Sequence, residues 1–126
     1  MSVYIVHAEQ TSRYKVGWTV NPMKDRLRTL QTGCPMKLKL IYQWDDALHG
    51  DEALLHEVMR PFNVRGEWFE LPLFFLSWMD SDDRSLVDLR HFCVVTLLMQ
   101  ENWNNRPTDN PFTQEVKKQI RGYLDD

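Results

Sequence analysis

The sequence predicts an α+β domain: a small, three-stranded, mainly antiparallel sheet flanked by helices, with a C-terminal helical extension. Three observations predict it. The chain opens with two β-branched, aromatic segments parted by a short polar gap. Apolar residues then recur mostly at helical spacing, with one further alternating stretch between the first two helical patterns. Finally, 126 residues of 43% hydrophobic and 12% aromatic content fit one compact domain.

Val3-Tyr4-Ile5-Val6 and Tyr14-Lys15-Val16-Gly17-Trp18-Thr19 read as the two strands of a hairpin, with Glu9 to Arg13 between them. Asn21-Pro22 offers an N-cap and a first-turn proline. Met23, Leu27 and Leu30 follow at helical spacing, and the helix is expected to stop at Gly33. Leu38, Leu40 and Tyr42 alternate with Lys39, Ile41 and Gln43, as a third strand requires. Asp45 or Asp46 can cap a second helix running to about Arg60, with Leu48, Leu55, Val58 and Met59 on its apolar side.

Val64 to Leu71 reads as a turn followed by a short extended piece. Ser85 to Gln100 is expected to be a helix with Leu86, Leu89, Val94, Leu97 and Leu98 inside. A linker rich in Asn and Pro (Asn102 to Pro111) leads to a last amphipathic helix containing Phe112, Val116, Ile120 and Leu124. A soft boundary falls after Leu71: residues 1–71 form the expected core, and residues 72–126 a helical extension packed on the same domain.

The net charge of −3 does not by itself point to nucleic acid, but it averages two unlike segments. From Arg13 to Lys39 there are seven basic residues (Arg13, Lys15, Lys24, Arg26, Arg28, Lys37, Lys39) against the single acid Asp25. From Leu71 onward acids outnumber bases nine to six. Cys34 and Cys93, 59 positions apart, have no zinc-site spacing and read as reduced thiols, which makes a cytoplasmic protein the expectation. No signal peptide is apparent, and the longest apolar stretch, Leu71 to Met79, is under half of the ~20 residues that span a bilayer, so no membrane role is expected.

Five segments, in order, resemble the GIY-YIG nucleases, in particular a compact phage and bacterial subgroup. They are Val3-Tyr4-Ile5, Tyr14-Lys15-Val16-Gly17, Asp25-Arg26-Leu27-Arg28-Thr29-Leu30-Gln31-Thr32-Gly33, Glu52-Ala53-Leu54-Leu55-His56 and Arg65-Gly66-Glu67-Trp68-Phe69. The resemblance implies hydrolysis of DNA phosphodiesters with one divalent ion, Mg²⁺ or Mn²⁺. It further implies that Tyr4 stands beside the attacking water, that Arg26 contacts the scissile phosphate and that Glu52 binds the metal. His56 matches a histidine one helical turn beyond that glutamate. Two positions depart from the family pattern: Lys15 stands where the second motif has tyrosine, a change shared by the subgroup, and Ser2-Val3-Tyr4 stands where Gly-Ile-Tyr is usual.

These residue types suit the chemistry. A carboxylate holds a hard cation through oxygen, and a guanidinium fork matches two phosphate oxygens. A phenol of ordinary pKa about 10 needs a cation beside it to become a base at neutral pH, and Lys15 is the expected one. Arg13, Lys24, Arg28, Lys37 and Lys39 are the expected DNA contacts, and the C-terminal helices a surface for a second copy or a protein partner. The alternatives are a catalytically weak or inactive module of the same fold that binds nucleic acid or a protein and, for Glu52 with His56, an ordinary i,i+4 surface pair. A zinc site at His49, Glu52 and His56 is rejected because Arg60 stands where a second zincin histidine belongs.

Overall fold

The computed structural model describes residues 1–82, 84–100, 103, 105–107 and 111–125, without the side chains of Phe112 and residues 123–125. Strand β1 (Ser2–Ala8) runs antiparallel to both β2 (Tyr14–Thr19) and β3 (Leu38–Trp44). Its Val3 to Val6 run is wholly apolar and aromatic because helices cover both faces. Val3 and Ile5 enter the larger core beneath the second helix, whereas Tyr4, Val6 and Ala8 pack with Met23 and Leu38 on the other side.

Helix α1 (Met23–Gln31) ends where Gly33 takes a φ of +78°, a left-handed conformation that glycine adopts without steric cost. Its start differs from expectation. Pro22 occupies the N-cap position with no side-chain cap, and the Asn21 N–H instead donates to Thr19 Oγ1 at 3.0 Å. Helix α2 (His49–Met59) also begins later than expected. Asp45 is taken by Ser2 and Gln43, Asp46 sits at a φ of +57°, and the Asp51 carboxylate accepts the Leu48 N–H at 2.8 Å. Leu48, expected inside, is 65% exposed because it precedes the helix. A 3₁₀ turn over Arg60–Phe62, with Pro61 inside it, ends α2.

The sheet has five strands in the order β3-β1-β2-β5-β4, all neighbours antiparallel, where three were expected. The two additional strands are β4 (Asn63–Arg65) and β5 (Trp68–Phe69), folded back on each other through Gly66 at a φ of +56°. Strands this short show no alternation, so the segment reads as one extended piece until its pairing with β2 is known.

After Pro72, the apolar stretch folds as a helix that spacing did not reveal, α3 (Leu73–Met79). Helix α4 (Leu86–Met99) starts at the expected serine, whose Oγ accepts the Asp88 N–H while Asp88 accepts the Ser85 N–H. Leu98, expected inside, is 44% exposed, and Cys93 takes its place in the core. In α5 (Pro111–Asp125), Val116 and Ile120 are buried. The side chains of Phe112 and Leu124 and much of the Asn102 to Pro111 linker lie outside the described residues. No helix among the described residues is long and apolar enough to cross a membrane.

One apolar cluster runs from Val3 and Ile5 through Leu55 and Val58 of α2 to Leu89 and Leu97 of α4 and Val116 and Ile120 of α5. Two buried acids of α2 reinforce it. Arg90 of α4 grips Asp51 with two bonds of 2.7 and 3.0 Å, and Glu57 accepts from Arg106 at 2.8 Å and from Thr113 of α5 at 3.0 Å. Removing one partner of a buried pair strands the other charge in a poor solvent. Arg106→Met is therefore expected to lower the unfolding free energy by about 3 kcal/mol in urea titrations. Arg13→Met, whose partner Glu70 is exposed, is expected to change it by less than about 1 kcal/mol.

Candidate active site

The short β5 decides where side chains from the two faces of the sheet meet. It pairs with β2 only at Tyr14 and Lys15, and its approach ends with the Val16 N–H donating to the Glu67 carbonyl at 3.0 Å. Beyond that point Gly17, Trp18 and Thr19 continue along β2 with no β5 pair. There a cleft of about 400 Å³ opens, lined by Trp18, Thr19, Val20, Asn21, Arg26 and Glu67.

Tyr4 reaches this place from β1. Its strand partner is Gly17, and its ring lies over that glycine. A Cβ on Gly17 would stand 2.5 Å from the Tyr4 hydroxyl oxygen and 2.7 Å from Cζ, so only glycine leaves the ring its place. Arg26 of α1 donates its Nε hydrogen to the Tyr4 hydroxyl at 3.2 Å. Lys15, expected to be the cation at this phenol, instead bonds Glu67 Oε2 at 3.0 Å beside the Trp68 ring. The reason lies in pairing register: Lys15 stands opposite Val6, one pair further along the same face than Gly17. The Tyr4 pKa is raised above 10, chiefly by burial, and the Arg26 bond and charge only partly oppose this. At neutral pH the group is a phenol, not the phenolate that the sequence suggested.

Glu52 comes from α2, on the other side of the sheet. It is 5% exposed, and its Oε2 is buried without any hydrogen-bond partner. Burial first, and then the neighbouring Glu67 charge, push its pKa up to about 7, with Lys15 acting in the opposite direction. The surface-pair reading of Glu52 and His56 therefore fails for Glu52. His56, one turn along α2, bonds the Val16 carbonyl through Nε2 at 3.0 Å and sits edge-on to Phe69. A carbonyl only accepts, so Nε2 carries the hydrogen. Burial lowers the His56 pKa and favours the neutral ring.

Tyr4, Lys15, Arg26, Glu52 and His56 thus gather around one stretch of β2. The five expected DNA-contacting cations lie outside the cleft. Lys24 and Arg28, two positions before and after Arg26, are exposed on the opposite face of α1, with Arg28 3.6 Å from Asp25. Arg13 pairs with Glu70 at 3.4 Å, and Lys37 and Lys39 are exposed at the start of β3. Of the residues at the site, Gly17 carried no role in the sequence reading, and Glu67 two alternatives: assisting the metal or orienting His56, or belonging to a turn whose aromatics close the core. Gly17 had a usable signal, since a glycine inside a strand marks a close approach. The Gly66-Glu67-Trp68-Phe69 motif pointed to Glu67, but its place at the edge of β2 depends on the β4-β5 reversal.

Among the described residues no group of three His, Cys, Asp or Glu could hold a metal ion. Glu52 nevertheless fits a single hard cation: its carboxylate is buried, one oxygen is unpartnered, and a second acid lies close enough to raise its pKa.

Two outcomes follow from this geometry. Gly17→Ala forces the Tyr4 ring from its seat and is expected to cost about 1–3 kcal/mol in chemical denaturation. Glu52 binds its proton more tightly in the folded chain, with a pKa of about 7 against an ordinary 4.5, so its ionisation opposes folding increasingly as pH rises from 4.5 to 7. Glu52→Gln is expected to stabilise the protein by about 3 kcal/mol at pH 8 and to leave it unchanged below pH 4.5, as read from melts across that range.

The T5orf172 domain family matches residues 1–81, which run from β1 through α3. No curated protein and no solved structure matches the chain. With nearly two thirds of its length matched and the site entirely inside that span, the chain belongs to the T5orf172 domain family, a domain associated with endonuclease-like proteins.

Proposed function

We propose that the protein is a metal-dependent DNA endonuclease of the GIY-YIG type. The observation that carries this reading is the meeting, at the open end of β2, of the Tyr4 and Arg26 pair from one face with the unpartnered, buried Glu52 carboxylate from the other. Family membership supports a nuclease-like role in contact with DNA.

Arg26 lines the cleft and is the group that receives the scissile phosphate, its remaining guanidinium hydrogens matching phosphate oxygens. Tyr4, a phenol at neutral pH, orients the attacking water through its hydroxyl. Glu52 would hold one Mg²⁺ or Mn²⁺ through its buried carboxylate. The ion, when bound, supplies positive charge to the phosphate oxygens and the departing ester oxygen. His56 acts as a positioning residue, fixing the β2 edge through Val16. Lys24 and Arg28 extend the phosphate-binding surface along α1, and Arg13, Lys37 and Lys39 extend it beyond the cleft. For a second copy or a protein partner, the surface is the exposed Val87, Val95, Leu98 and Met99 of α4.

Incubation of the protein with supercoiled plasmid or single-stranded DNA in Mg²⁺ or Mn²⁺ is expected to give nicked or shortened products. Arg26→Ala and Glu52→Ala are each expected to reduce the rate by about 100-fold or more while DNA binding persists. No cleavage by the wild type across metals and salts, or unchanged cleavage by Glu52→Ala, overturns the reading. Salt-dependent, metal-independent binding without cleavage would instead identify a binding module.

A further inference from the structure

We infer that Glu67 is the second carboxylate of a cation site shared with Glu52, so that the tip of the β4-β5 hairpin and helix α2 hold the ion together. The inference rests on the cation assigned to Glu52 in the proposed nuclease chemistry.

Val16 sets the geometry. Its N–H donates to the Glu67 carbonyl at 3.0 Å, and its own carbonyl accepts from His56 at 3.0 Å. One residue of β2 therefore anchors the hairpin tip and α2 at the same point along the strand. Glu52 precedes His56 by one helical turn and projects from the same face of α2. Glu67 sends its carboxylate toward Gly17, where Oε2 lies 3.2 Å from the position a Cβ would take, next to the Tyr4 hydroxyl.

The pairing around this point is incomplete. Lys15 holds Oε2 of Glu67 at 3.0 Å, while Oε2 of the 95% buried Glu52 has no partner. Arg26 is turned to Tyr4. Burying a carboxylate oxygen without a partner, as Glu52 does where the half-exposed Glu67 reaches the same edge of β2, carries a desolvation cost. A divalent cation between them removes that cost and gives the orphaned oxygen a ligand. Two carboxylates with otherwise open coordination suit Mg²⁺ or Mn²⁺, which retain several waters.

Mn²⁺ binding to the full chain, without DNA, is measured by electron paramagnetic resonance of the free ion and by the metal-dependent rise in melting temperature. Wild type is expected to bind in roughly the millimolar range or tighter, and Glu52→Gln and Glu67→Gln are each expected to weaken binding by about tenfold or more. Glu70→Gln, at an exposed acid paired with Arg13, is the control and is expected to match wild type. Glu67→Gln binding within about twofold of wild type overturns the inference and leaves Glu67 as the ion-pair partner of Lys15 alone. Undetectable Mn²⁺ binding by the wild type at about 20 mM overturns it as well. Binding through both carboxylates in a protein that cleaves no DNA upholds this site and counts against the nuclease reading instead.

Discussion

Helix α2 carries its charges inward. Asp51, Glu52 and Glu57 are each 5% exposed or less, and burying a carboxylate costs several kcal/mol unless something compensates it. Two are compensated by the C-terminal helices and their connection: Arg90 for Asp51, and Arg106 with Thr113 for Glu57. The third, Glu52, is not. The extension thus holds α2 against the sheet by satisfying the acids on one side, and that fixed helix keeps an uncompensated acid at the edge of β2.

The sheet edge makes the second contribution. An antiparallel sheet normally separates the side chains of its two faces. Here β5 stops after two residues, and at that edge the Val16 backbone N–H donates to the Glu67 carbonyl while its carbonyl accepts from the His56 ring. Beyond this stop, groups from α1 and from α2 approach the same stretch of strand. Gly17 removes the one side chain that would stand between them, which gives the Tyr4 ring a seat and exposes its hydroxyl to Arg26.

Burial raises the pKa of both Tyr4 and Glu52, although cations are near each. In both cases desolvation is the largest cause and exceeds the neighbouring positive charge. Burial disfavours the charged form of both groups, and a ligand that brings positive charge shifts them toward ionisation. This is the physical sense in which substrate and ion complete the site: the fold supplies positions and withholds compensation until they arrive.

The sequence by itself determined the order of the first strands and helices, the stop of α1 at Gly33 and the Ser85 cap of α4, and through its family resemblance it singled out Tyr4, Lys15, Arg26, Glu52 and His56. These are local signals: alternation, helical spacing, a glycine, a serine, and short motifs in register. Only the tertiary structure decided that β4 and β5 join the sheet, that Asp51 and not Asp45 or Asp46 caps α2, that Arg26 and not Lys15 meets the phenol, and that the Glu67 charge acts on Glu52. Those outcomes depend on partners tens of positions apart, such as Tyr4 with Arg26, Val16 with His56 or Asp51 with Arg90. Periodicity reports which face of an element is apolar, because water sorts side chains residue by residue. It does not report which charge a buried acid will meet, because that is set by the register of strands and the docking of helices that the whole chain must satisfy together.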